Sequence, residues 1–219
     1  YWATVDEQGQ LKPLRGSELS KSLEGDKSEN VRGMLGPRRG LRDYPRGVAR
    51  WVIGKIMGTE KESLILRLVE QYDSDVVKTE RLWLINPDSS PTPLPQRPAQ
   101  WEWLTDPLKE EDRVLLIIHG TFSKTDSPVK GLRRGFFDWA YSKYRGVIGF
   151  DHWTLSKTPE DNARMLWDLL DSRLHDGHRL DIITHSRGGL VARAFVELLG
   201  HGKAVRRVIF VGTPNGGTN

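Results

Sequence analysis

The chain has 219 residues, of which 37% are hydrophobic and 28% charged, with a formal net charge of +4. This is ordinary for a globular protein long enough to bury a real core, and no run of about 18 apolar residues suggests a membrane-spanning helix. There is no Cys, which excludes disulfides, thiolate metal sites and a Cys nucleophile and makes a cytoplasmic location the expectation.

The first 47 residues are polar and Gly-rich and are expected to form a loop or loosely ordered arm. Residues 50–57, 63–70 and 76–85 are short apolar runs separated by Gly58-Thr59-Glu60 and Tyr72-Asp73-Ser74-Asp75, a pattern that predicts a three-stranded meander. Residues 1–86 are therefore expected to be a small β-containing module. Pro87, Pro91, Pro93, Pro95 and Pro98 fall within Asn86 to Gln100. That density of proline rules out helix and inner strand, and predicts an extended linker over 87–100. From residue 101 the texture changes to strand alternating with helix. Val114 to Ile118 is a continuous apolar run, as for a strand buried on both faces. Residues 131–144 predict a helix, Gly146 to Phe150 a strand, and Pro159 the start of a helix reaching about Leu174. Leu180 to Thr184, Gly188 to Leu199 and Val205 to Val211 follow as strand, helix and strand, with Gly200 closing the helix. Repetition of this kind implies an α/β fold with a parallel sheet and flanking helices. A sheet ending at the strand 205–211 leaves an edge for further strands to cover.

The stretch Leu180-Asp181-Ile182-Ile183-Thr184-His185-Ser186-Arg187-Gly188-Gly189 runs from strand into helix with a Ser at the junction. A nucleophile elbow requires this context: a strained turn projects the hydroxyl above the sheet edge, and a small residue two positions later lets the helix pass close to the strand. Ser186 is the expected nucleophile and Gly188 the small residue. Position 184 is Thr, where the G-x-S-x-G pattern has Gly. Upstream, Ile118-His119-Gly120-Thr121-Phe122 places a His-Gly turn at the end of a buried strand, where such a fold builds the other half of an oxyanion hole. The expected donors are the backbone amides of Thr121 and Arg187.

The stretches 117–123 (IIHGTFS), 183–195 (ITHSRGGLVARAF) and 208–218 (VIFVGTPNGGT) resemble the lipase-like branch of the α/β-hydrolase superfamily. The block 149–166 (GFDHWTLSKTPEDNARML) is similar to hydrolase-like domains of large multidomain bacterial proteins. The resemblance covers about residues 110–219. It implies a serine hydrolase acting on an ester, with a lipid-like substrate and no cofactor, and a triad in the order Ser, acid, His whose last two members follow later strands. Those members are expected beyond Asn219, in the remainder of the same polypeptide or on a companion chain. The sequence opens Tyr1-Trp2-Ala3 without an initiator Met or a signal peptide and stops at Gly216-Gly217-Thr218-Asn219 as in mid-loop, so a segment of a longer protein is expected.

The histidines present are weighed against that expectation. His201 follows a helix of about twelve residues and so lies roughly 20 Å from the elbow, too far to be the base. His185 is expected to pack into the elbow, and His119 to orient the oxyanion turn. Asp151 and His152 leave a strand at the ligand-binding edge of a parallel sheet, so they are expected to line the pocket. Trp153, His119, Gly120, Phe122 and His185 complete the candidate pocket. His175 and His178 are expected in solvent. No H-x-x-x-H or H-E-x-x-H spacing occurs, so no metal is expected. Two rival readings stay open. One is a catalytically inactive hydrolase-like sensor or scaffold domain. The other rests on Arg32, Arg38, Arg39, Arg42, Arg46 and Arg50, a basic module for nucleic acid or an acidic membrane, with nucleic acid disfavoured because no recognition signature accompanies it.

Overall fold

The computed structural model describes residues 2–5, 11–13, 59–96, 101–104, 109 and 112–215. The basic segment 31–50 and the strand expected at 50–57 lie outside the described residues.

Eight strands form one mixed sheet: β1 (Trp2–Val5), β2 (Leu11–Pro13), β3 (Arg81–Ile85), β4 (Pro91–Pro93), β5 (Val114–Ile118), β6 (Gly146–Asp151), β7 (Leu180–His185) and β8 (Val205–Val211). Their order across the sheet is β2-β1-β8-β7-β5-β6-β3-β4. The four central strands, β6, β5, β7 and β8, are parallel, as the strand-helix alternation predicts, and every strand outside them is antiparallel to its neighbour. Helices α1 (Thr59–Val76), α2 (Asp126–Gly131), α3 (Arg134–Lys143), α4 (Pro159–Leu169) and α5 (Gly188–Arg193) accompany the sheet. Among the described residues no helix is long and apolar enough to cross a membrane.

The core has two layers because β5 alternates between them. Val114, Leu116 and Ile118 pack with Ala163, Leu166 and Leu169 of α4 and with Val191 and Ala192 of α5. Leu115 and Ile117 pack on the opposite face with Phe136, Phe137 and Ala140 of α3. All five β5 residues are buried, so this strand tolerates no polar side chain on either face, which explains its unbroken apolar run. The α4 start is fixed locally: the Thr158 hydroxyl accepts from the Asp161 amide, the Asp161 carboxylate accepts from the Thr158 amide, and Pro159 sits in the first turn.

Several expectations are corrected. Residues 63–70 are not a strand but part of α1, and Tyr72 to Asp75, expected as a turn, lie inside that helix. After Ser63 the run contains only two β-branched residues, Ile65 and Val69, among three Leu, Arg67 and Glu70, which lose little rotamer freedom in a helix. The meander does not form, and β3 joins the main sheet by pairing with β6. The proline-rich stretch is not a free linker over its described part. Residues 91–93 turn back on β3 as its hairpin partner, closed by the Asn86 amide donating to the Ser90 carbonyl and by Ser89 at φ 67°. Proline is admitted there because β4 is an edge strand, where a missing N–H costs no ladder bond. In the first 47 residues, 2–5 and 11–13 are strands rather than loop, and β1 covers the outer edge of β8 that was expected to be open. The expected helix 131–144 forms as α3 over Arg134–Lys143, preceded by the short α2, α4 ends at Leu169, and α5 continues as a wider helical turn over Ala194–Leu198 before Gly200 at φ 73°.

Candidate active site

Strands β5 and β7 are hydrogen-bonded neighbours in register, with Ile118 opposite Thr184. The residues that follow them, His119-Gly120 and His185-Ser186, therefore emerge side by side at one sheet edge. Ser186 adopts φ 50°, a left-handed conformation that costs a non-glycine residue about 1–3 kcal/mol and persists only where the surroundings enforce it. Its amide donates to the Val211 carbonyl of β8 at 2.8 Å, which holds the turn against the sheet. At Gly188 an added Cβ would lie 2.5 Å from the His119 carbonyl oxygen and 2.6 Å from that of Ile118. Helix α5 thus leaves the turn directly across the end of β5, and only glycine allows that approach. Thr184, in the place of the usual Gly, is buried and donates its hydroxyl to the Ile209 carbonyl at 3.2 Å.

The His-Gly turn touches the elbow. A Cβ on Gly120 would be 2.9 Å from the Ser186 Cβ and 3.0 Å from the His185 carbonyl oxygen. The Gly120 carbonyl receives the His119 Nδ1–H at 2.9 Å and the Ser123 hydroxyl at 3.2 Å. The Gly120 carbonyl and the Thr121 amide belong to one planar peptide unit and point in opposite directions. Pinning the carbonyl on His119 and Ser123 therefore aims the Thr121 N–H away from them. Among the described residues, the amides of Thr121 and Arg187 donate to no protein group, leaving both available to a ligand. Phe122, next in the turn, has φ 57° and donates its amide to Thr154 Oγ1 at 3.2 Å.

The candidate pocket residues divide in two. Gly120, Thr121, Phe122, His185 and Ser186 are gathered at the edge, where the exposed His185 keeps its Nδ1 against the Gly120 turn, 3.0 Å from where a Gly120 Cβ would stand. His119, Asp151 and His152 lie beneath it as buried supports and do not line an open pocket. His119 has both nitrogens engaged, since Nδ1–H meets Gly120 and Nε2 accepts the His152 amide at 3.2 Å. Burial, only partly offset by the Gly120 carbonyl, holds its pKa below the usual histidine value, and burial beside His119 holds that of His152 well below it. Both rings are neutral and stacked, 4.1 Å between centroids. Asp151 accepts the Thr125 amide at 2.6 Å and the Trp83 indole at 2.9 Å, tying the turn to β3. Trp153 donates its amide to Glu80 at 2.9 Å and its indole to the Val77 carbonyl at 3.0 Å.

Of the remaining histidines, His175 is corrected from its solvent placement, while His178 is exposed as expected. His175 and His201 stack on the two faces of Trp167, each at 3.7 Å, and the His178 ring bonds to the Val205 carbonyl at 2.8 Å. None of the three stands at the elbow.

Sequence reasoning missed Asp73. This α1 carboxylate is 2% exposed and accepts hydrogen bonds from the amides of Thr154, Leu155 and Ser156 and from the Ser156 hydroxyl at 2.7 Å. The same loop is held from the other side by Arg187, whose guanidinium donates to the Lys157 carbonyl. The partners are some eighty positions apart in sequence, and no local pattern marks such a pair.

A family model described as Domain of unknown function (DUF7379) matches residues 86–219. No curated protein and no solved structure matches the chain.

Proposed function

The chain belongs to the DUF7379 family, and for this member we propose a serine hydrolase that works by acyl transfer through Ser186. The observation that carries the reading is the contact between a positive-φ Ser at a strand-helix junction and a glycine turn whose next amide is free. Strain at a hydroxyl-bearing residue at the C-terminal edge of a parallel sheet has a use in presenting a nucleophile, and little use otherwise.

In the proposed reaction the Ser186 Oγ attacks the carbonyl carbon of an ester as its proton passes to a base. The Thr121 and Arg187 amides stabilise the oxygen that becomes negative. Collapse expels the alcohol, protonated by the same base, and water then hydrolyses the acyl-enzyme. All six histidines are described, and the base is assigned to none of them. His119 has no free nitrogen, His152 is fully buried, His175, His178 and His201 are engaged elsewhere, and His185, although its Nδ1 lies against Gly120 beside the elbow, makes no hydrogen bond to Ser186. We assign the base and its acid to polypeptide outside residues 1–219, on the same or a companion chain, and the substrate to esters, lipid-like ones included.

The test is labelling of the full-length protein with a serine-directed fluorophosphonate. Labelling lost in Ser186→Ala, together with p-nitrophenyl ester turnover abolished by the same change, supports the reading. The same set of engaged histidines favours the second reading, an inactive hydrolase-like scaffold, which predicts no labelling of the wild type under any condition.

A further inference from the structure

Resting on the hydrolase reading, we propose that Asp73 and Thr154 are positioning residues that set the oxyanion turn against the elbow. The Thr154 hydroxyl stands between two groups: it donates to Asp73 Oδ1 at 3.4 Å and accepts the Phe122 amide at 3.2 Å. Phe122 is in a left-handed conformation that a bulky non-glycine residue leaves unless something holds it. The bond from its amide is one restraint, and the ring of Tyr72, edge-on to Phe122 at 5.6 Å, is another. Tyr72 and Asp73 are consecutive on α1, so one helical turn supplies both.

The Thr154 hydroxyl would wander without Asp73. The carboxylate takes the amides of three successive loop residues, and a carboxylate accepting several N–H groups makes the stronger, charge-assisted kind of hydrogen bond. The far end of the loop meets the other half of the site, since the Lys157 carbonyl accepts from the Arg187 side chain. Residues 154–157 therefore form a brace with the Thr121–Phe122 turn at one end and the residue after the nucleophile at the other. Because the two amides act only if they converge on one oxygen, the length of this brace fixes their separation. Misplacement of such a group by about 1 Å costs about 100-fold in rate.

The experiment uses the full-length protein and p-nitrophenyl acetate. Thr154→Val keeps the shape and removes the hydroxyl. We expect kcat to fall about 10-fold or more, with KM held within about 2-fold, because the lost contact acts on the transition state. Thr154→Ser, which restores the hydroxyl, returns kcat to within about 2-fold of wild type. Asp73→Asn acts in the same direction, and the double variant is less damaging than the product of the two singles because both act through one chain of bonds. If Asp73→Asn fails to fold, Thr154→Val alone decides. Folded Thr154→Val with unchanged kcat, in a protein whose wild type is labelled at Ser186, overturns the proposal and leaves the hydrolase reading intact. A wild type that is never labelled overturns both.

Discussion

Adding one methyl group at Gly188 tests whether the elbow and the oxyanion turn form one mechanical unit. Its Cβ would lie 2.5 Å from the His119 carbonyl oxygen and 2.6 Å from that of Ile118, where real Cβ atoms essentially never come under 3.0 Å. Both opposing atoms are main chain, one in the last residue of a strand hydrogen-bonded on each side and one in the residue after it, so no rotamer change relieves the clash. The helix must instead move off the strand by about 0.5 Å, an overpacking that costs about 1–3 kcal/mol. In a domain of this size about 2 kcal/mol lowers Tm by about 6 °C. The same shift parts Ser186 from Gly120, and about half an ångström of misplacement is worth about 10-fold in turnover. Urea unfolding followed by Trp fluorescence, paired with ester turnover of the full-length protein, measures both effects. Gly135→Ala is the control: its Cβ meets nothing within 4 Å in α3, and helix propensity gives it about 0.5–1 kcal/mol of added stability. Gly188→Ala within about 0.5 kcal/mol of wild type, with unchanged turnover, would refute the close-approach argument.

Three further outcomes follow from the geometry. Gly120→Val places its branches against Ser186 and His185, so fluorophosphonate labelling should fall by at least about 100-fold, the scale of a lost oxyanion donor, and retained labelling would show the turn to be no part of the site. Burial depresses His119 and His152 below the ordinary value of 6.5, so the unfolded chain binds protons there that the native protein does not. Stability is then complete above about pH 6.5 and falls as the pH drops below it, by up to about 1.4 kcal/mol per pH unit for each ring. Denaturant midpoints between pH 7.5 and 5 should show this slope, shallower in His152→Gln. At the opposite end of β7, Asp181 is fully buried and accepts the Tyr144 hydroxyl at 2.7 Å and the Arg206 guanidinium at 2.9 Å. Asp181→Ala should cost about 2–3 kcal/mol, less than a wholly buried pair because Arg206 keeps some access to water, while labelling of Ser186 in the folded fraction stays unchanged.

The parallel centre of the sheet was legible because strands buried on both faces have no choice of composition: Val114 to Ile118 and Leu180 to Thr184 can be little else. The elbow was legible for a related reason, since a Ser placed between an apolar strand and a double glycine already describes the close packing that Gly188 and Gly189 permit. Helix α1 was not. An apolar run as short as 63–70 fits strand and helix templates alike, and what decides here is the whole span Thr59–Val76, including polar residues that read locally as a turn. Strand β4 was missed because the proline-rich stretch was taken for an extended linker, although proline excludes only inner strands and leaves an edge strand open. The supporting roles of Asp151 and Asp73 were out of reach for a different reason. Their partners, Trp83 and Thr154, are far away in sequence, and the pairing exists only once the sheet order has been established.

The pairing of β1 with β8 places Trp2 opposite Ile209 and Thr4 opposite Arg207. Strand β1 thus waits for β8 before it can form that ladder, and closing a loop of that length precedes any return from the contact. Until then, among the described strands, β1 has β2 as its partner, and an isolated two-stranded hairpin is marginal in water. On the ribosome, β5, β6 and β7 can begin to assemble before β8 offers the edge on which β1 pairs.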